Sequence, residues 1–155
     1  MSNSSFKYSE QGTDSSWKGY TSQSLYILYR IVNADFGYDY YPEKLEDLMI
    51  KQGNEVIEVV QVKDYSSELT ISDLDASKKS EGLFRRSISL KKNENSRQQE
   101  IIIRVVYFGE LGHELSEFVK ENLVVVESII KKLCDKYNFT CEEAKWLLVY
   151  CIIEI

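Results

Sequence analysis

Residues 45–63 read LEDLMIKQGNEVIEVVQVK, two short apolar, β-branched runs separated by Gln52-Gly53-Asn54-Glu55. Runs of that length, bounded by a polar Gly-Asn turn, predict a β-hairpin. A three-residue loop, Gly53 to Glu55, pairs Gln52 with Val56. It then sets Asp47 opposite Gln61 and Leu45 opposite Lys63 on one face of the pleat. A two-residue loop, Gly53-Asn54, would send Asp47 to the other face, because a one-residue slip inverts the pattern. In the first register Leu45, Met49, Ile57 and Val59 share the face of Asp47, and Leu48, Ile50, Val60 and Val62 line the other. Glu46 and Glu58 also fall on that other face. Apolar residues on both faces require cover on both sides, as in a layered α/β domain.

Asp, Gln and Lys side chains on one face are suited to metal-assisted phosphodiester hydrolysis. A carboxylate and an amide oxygen are hard ligands for Mg²⁺ or Mn²⁺. A nearby ammonium can stabilise developing negative charge. The plain alternative is a surface acid and a lysine whose stem lies along the sheet.

Working outward, residues 1–16 are polar and Ser-rich and read as a loose N-terminal segment. A helix is predicted from about 21 to 34. Its apolar residues surround nearly the whole circumference, so burial is expected, with Gln23 in the first turn. Residues 38–42 read as an aromatic loop holding the one proline. After the hairpin, Thr70-x-x-Asp73 marks a helix start, with the helix running to about 79. Residues 83–90 are open between helix and loop, and 91–99 read as loop. Residues 100–108, EIIIRVVYF, form the strongest strand and are expected inside the sheet. Helical spacing runs from about 114 to 135. Thr140-x-x-Glu143 opens a last apolar helix to about 153.

The ordered series Gly19-Tyr20-x-x-Gln23, Glu46-Asp47, Val60-Gln61-Val62-Lys63 and Leu69-Thr70-x-x-Asp73-Leu74 resembles the PD-(D/E)XK nuclease superfamily. The variant is one with Gln in place of the acid of E-x-K. Within it, the series is similar to the N-terminal effector nuclease domains of bacterial antiphage defence proteins, including CBASS effectors and STAND ATPases. The resemblance covers about residues 17–110. It implies a restriction-endonuclease-like α/β fold: a central mixed sheet flanked by helices, with a nuclease core at 17–112 and a helical C-terminal part at 113–155. It implies Mg²⁺- or Mn²⁺-dependent DNA cleavage. Asp47 and Gln61 would be the ligands, Lys63 the cationic stabiliser and Gln23 a supporting group. It also implies self-association, or a sensor or ATPase module in the same longer chain. The apolar last helix fits either a dimer interface or a chain that continues.

The 155 residues suffice for one domain, and 43% hydrophobic with 28% charged residues is the balance of an ordinary globule. No apolar run approaches the roughly 18 residues of a membrane span and no signal-peptide pattern opens the chain, so a cytoplasmic location is expected. Three cysteines without zinc spacing and the lone His113 argue against a zinc site or a Cys/His nucleophile. The net charge is −6, yet Lys78, Lys79, Arg85, Arg86, Lys91, Lys92 and Arg97 cluster against only Glu81 and Glu94. Such a segment can neutralise a DNA backbone, the first six being the candidate contacts, or can be a solvated face. The competing functional readings are an inactive nuclease-like interaction module and an unrelated α/β binding domain.

Overall fold

A computed structural model describes residues 7–75, 82–93 and 100–155, with side chains from residue 17 onward. It is an α/β structure built on one five-stranded mixed sheet in the order β1-β2-β3-β4-β5. The strands are β1 (Asp39–Pro42), β2 (Leu48–Gln52), β3 (Glu55–Lys63), β4 (Ile102–Tyr107) and β5 (Cys151–Glu154). The first three are antiparallel neighbours, while β3, β4 and β5 run parallel. The helices are α1 (Lys7–Val32), α2 (Ile71–Leu74), α3 (Leu83–Asn93), α4 (His113–Val119), α5 (Leu123–Tyr137) and α6 (Cys141–Tyr150). Among them no helix is long and apolar enough to cross a membrane.

Both faces of the sheet are covered, as the doubly apolar hairpin requires. On one face Met49, Val56, Val59, Ile103 and Val105 join Ile71, Leu74, Phe84, Leu115, Ile129, Leu133 and Leu147 in the larger core. On the other, Leu48, Ile50, Val60 and Val106 pack with Tyr26 and Ile27 of α1.

The hairpin reaches the expected register by an unexpected route. Gln52 pairs with Glu55 and Lys51 with Val56, so the loop is the two residues Gly53-Asn54. Gly53 takes the positive φ, 61°, that such a turn demands. One residue later a β-bulge intervenes, and Ile50 pairs with Glu58, Met49 with Val59 and Leu48 with Val60. The extra residue, Ile57, restores the alternation that the shorter loop had shifted. Continuing the ladder, Asp47 just ahead of β2 lies across from Gln61. Ile57 itself is displaced from its expected face and packs against the α1 side.

Several expectations are corrected. Helix α1 starts at Lys7 rather than about 21, so much of the segment read as loose has helical backbone and Gln23 lies in the helix interior. Among its described side chains only the apolar Tyr26 and Ile27 are buried, and Leu25, Leu28, Tyr29 and Val32 are exposed. The aromatic segment at 38–42 contains an edge strand, with Tyr40 opposite Ile50 and Tyr41 opposite Met49. Its proline ends the strand at the sheet margin, where a missing N–H costs nothing. Helix α2 stops at Leu74, and the basic pair Lys78 and Lys79, with Arg97, lies outside the described residues. Segment 83–90 is helical, extending to Asn93.

The long helix expected over 114–135 is split into α4 and α5. Glu121 between them has a positive φ of 60°, which no helix interior tolerates. Helix α6 keeps its capping box: Thr140 Oγ1 accepts from Glu143 N at 3.1 Å, and Thr140 N donates to Glu143 Oε2 at 2.9 Å. It stops at Tyr150, however, and Cys151–Glu154 is a strand beside β4. Periodicity cannot separate helix from strand in a short apolar run; pairing with Ile103–Val106 decides it. Through that strand the 113–155 part, expected to be helical, contributes to the sheet.

An ion network ties α1 to the sheet. Glu58, buried, accepts from Arg30 Nη1 at 2.8 Å and from Arg104 Nε at 2.6 Å. Arg104 also reaches Glu154 at 3.2 Å, and Tyr26 Oη donates to the same carboxylate at 3.2 Å. Burial alone would raise the Glu58 carboxyl, but the hydrogen bonds from Arg30 and Arg104 outweigh it and hold it below the ordinary range.

Candidate active site

Strand β3 ends at Lys63 and antiparallel β2 begins at Leu48, so Lys63, Gln61 and Asp47 converge at one end of the sheet. This is also the carboxyl end of the parallel pair β3–β4, the side on which open α/β sheets commonly bind ligands. Alternation along β3 turns Gln61 and Lys63 to the face of Val59, the side covered by α2 and α3.

Asp47 Oδ2 accepts from the backbone N–H of Val62 at 2.5 Å. Burial pushes the Asp47 carboxyl above its ordinary value. The Val62 N–H opposes the rise, neighbouring Glu46 adds to it, and Lys63 partly offsets it. Burial conversely lowers the Lys63 ammonium, against the pull of Asp73, Asp47 and Glu46, while Arg86 lowers it further. The ammonium lies over the Tyr65 ring, 5.8 Å from its centre. The Tyr65 hydroxyl is buried without a hydrogen-bond partner and is pushed up to about 12 by burial, then by Asp73 and Tyr107.

Gln61 Oε1 is buried and accepts no hydrogen bond, while its Nε2 points to Glu46 Oε2 at 3.4 Å. An orphaned amide oxygen beside a carboxylate is costly unless something electropositive comes to it. Asp47 and Gln61 Oε1 are therefore hard oxygen donors that fit a divalent cation. Among the described residues no group of three or more His, Cys, Asp or Glu could hold a metal, so such a site would rest on one carboxylate and an amide.

Glu46 does not stay on the far face. Preceding β2, it is free of the strand pleat, and its buried carboxylate pairs with Arg86 of α3, with Nη2–Oε2 at 2.8 Å and a second contact from Nε. Adjacency to Asp47 was the only sequence signal for it. Asp73 was legible as a helix start; it also faces Lys63. Its Oδ2 takes hydrogen bonds from Thr70 N at 2.8 Å and Thr70 Oγ1 at 2.7 Å, which fixes the carboxylate.

The remaining candidates are less gathered. Gln23 is half-buried on α1, one residue from Ser22, which donates to Asp64 just past Lys63. Among the described residues no hydrogen bond links Gln23 to Asp47, Gln61 or Lys63. The four described members of the basic segment all have partners within the protein. Arg86 holds Glu46. Arg85 lies over Phe139, 4.8 Å from the ring centre, and donates to the Tyr137 carbonyl. Lys91 lies 4.5 Å from the Trp146 ring centre and Lys92 pairs with Glu143 at 2.7 Å. Of these, Lys91 and Lys92 are exposed and Arg85 and Arg86 are half-buried.

No family model, curated protein or solved structure matches the chain, so the site stands on its own geometry.

Proposed function

We propose that this chain is a metal-dependent deoxyribonuclease with a restriction-endonuclease-like fold, the effector domain of a bacterial antiphage defence protein. The observation that carries the proposal is the convergence of Asp47, Gln61 and Lys63 at one sheet end, with the Gln61 amide oxygen buried and unpartnered. Asp47 and Gln61 would hold Mg²⁺ or Mn²⁺, which when bound acidifies a water molecule and polarises the phosphate. Lys63, half-buried and desolvated, stabilises charge developing on the phosphate more strongly than it could in bulk water. Asp73 and Asp47 keep that lysine oriented and charged. Glu46, neutralised by Arg86, positions the Gln61 amide by taking its N–H₂ group, which turns the oxygen to the ligand side. Lys91 and Lys92, both exposed, are the phosphate contacts among the described residues, and each exchanges a surface partner for a phosphate at little cost; Lys78 and Lys79 join them on sequence position alone. Arg85 and Arg86 serve the fold and the site instead.

One observation favours a non-catalytic interaction module. The nearest second carboxylate, Glu46, is committed to Arg86, leaving Asp47 as the charged ligand.

The test is conversion of supercoiled plasmid to nicked circles by the purified chain with Mg²⁺ or Mn²⁺ against EDTA. The rate should follow a bell in pH. Ionised Asp47 binds the metal, and its raised pKa puts the acid limb above the ordinary aspartate range. Lys63 acts as a cation, and its lowered pKa puts the alkaline limb below the ordinary lysine range. Absence of metal-dependent nicking, together with absence of any Mn²⁺-induced rise in Tm, would leave the interaction module as the reading.

A further inference from the structure

The amphipathicity of α1 is inverted. Its two charged residues beyond position 16 turn toward the sheet, Arg30 to Glu58 and Lys18 to Asp64. On the side of the helix away from Arg30, Tyr26 and Ile27, Thr21, Leu25, Leu28 and Val32 follow one another at spacings of four, three and four residues, with Lys18 at the margin of the row. That is the repeat of a helix seam that packs against a second helix. Trp17, Leu25, Leu28, Tyr29 and Val32 each leave 57–73% of their surface exposed, and Phe36 beyond the helix end is fully exposed. A helix apolar on its outer side is ordinarily buried on that side too, and a contiguous patch of this kind marks an interaction surface.

We propose that a second copy of this chain covers the outer face of α1, through an antiparallel, two-fold pairing of the two α1 helices. The spacing is self-complementary. An axis between Leu25 and Leu28 sets Leu25 of each copy against Leu28 of the other. It also brings Thr21 to Val32 and Trp17 toward Phe36. An isologous contact needs one patch that matches itself; the seam residues Thr21, Leu25, Leu28 and Val32 are uncharged, and the charges at its margin, Lys18 and Asp35, are of opposite sign and exchange places across the axis. Six large side chains exposing roughly 100 Å² each amount to about 600 Å² per copy, close to the roughly 800 Å² per partner of a standard interface. This pairing does not depend on the nuclease reading.

The test is sedimentation equilibrium of the whole 155-residue chain across the micromolar range, for the wild type and three variants. The wild type should be a dimer. Leu28→Glu and Leu25→Gln should each keep the wild-type circular dichroism, since both side chains are exposed. Leu28→Glu should raise the dimer dissociation constant by on the order of a hundredfold or more, because the centre of a symmetric interface is struck twice. Val149→Glu, on an exposed apolar surface of α6, should leave the dimer intact. A wild type that remains monomeric up to high micromolar concentration overturns the proposal, and so does a Leu28→Glu protein that dimerises as tightly as the wild type. Dissociation by Val149→Glu but not by Leu28→Glu would put the interface on α6 and overturn it equally.

Discussion

Asp47→Ala is expected to remove metal-dependent plasmid nicking, a loss of at least about 10³-fold, while leaving the fold in place. Asp47 lies across the ladder from Gln61, and among the described residues no arginine pairs with it. Without it the amide alone cannot hold a divalent cation. The stability change runs the other way from the activity change. Burial holds the folded-state pKa of Asp47 above its unfolded value, so the ionised carboxylate is a liability to the metal-free fold at neutral pH. That liability disappears as pH falls through the folded pKa. Asp47→Asn keeps an oxygen for the Val62 N–H and loses the charge. Its metal-free stability should therefore match or slightly exceed that of the wild type, by less than about 1 kcal/mol for a partly solvated group, read as an equal or slightly higher Tm. Full nicking activity in the alanine variant, in protein shown free of contaminating nuclease, would dismiss the site. A large loss of Tm in Asp47→Asn would mean that the residue is structural.

The second large effect lies on the opposite face of the sheet. Glu58→Gln should cost about 3 kcal/mol, because it leaves the half-buried Arg30 and Arg104 around a neutral amide at a buried position. For a chain of this size that is a fall in Tm of roughly 10 °C. The pH dependence has a definite sign. The folded pKa of Glu58 lies below its unfolded value, so its stabilisation is complete above the ordinary glutamate range and is lost as pH falls through the folded pKa. The gap in Tm between wild type and Glu58→Gln should be constant near neutrality and close in acid. A gap that is absent at neutral pH, or widens in acid, would show that the network does not clamp α1 to the sheet.

The parts of this architecture legible in the sequence were those where local chemistry and tertiary demand agree. The β-branched run of β3, the isoleucines and valines of β4 and the Thr70 and Thr140 helix starts needed no context. Elements decided by distant partners were hidden. Tyr40 and Tyr41 became strand because β2 needed an outer neighbour. Cys151 to Glu154 left the helix because β4 had an open edge. The break at Glu121 carries no glycine or proline to announce it. At the site, the residues gathered by one strand's alternation, Gln61 and Lys63, were readable from spacing. Glu46 and Arg86 meet across 40 residues of chain, and α3, which brings them together, was itself undecided. The outer face of α1 marks a different limit: its apolar pattern was plain, but no described residue of the single chain covers it.

The bulge makes Ile57 a spare residue in the reading frame of the hairpin. Without it, Val56 would be followed directly by Glu58, and the pairs Gln52–Glu55, Lys51–Val56 and Ile50–Glu58 would form an unbroken ladder. Every residue from Glu58 to Lys63 would keep its present face. A single-residue deletion at 57 should therefore be tolerated, with the metal response and Tm retained apart from the packing of one half-buried side chain. Deletion of Val59 or Val60 removes a residue that has a cross-strand partner, and it should turn Gln61 and Lys63 away from Asp47 or unfold the chain. A deletion scan through β3 would then show one permissive position in an intolerant strand. Over longer times the same position is where this hairpin can lose a residue, or exchange it for a longer turn, without disturbing what is built at its other end.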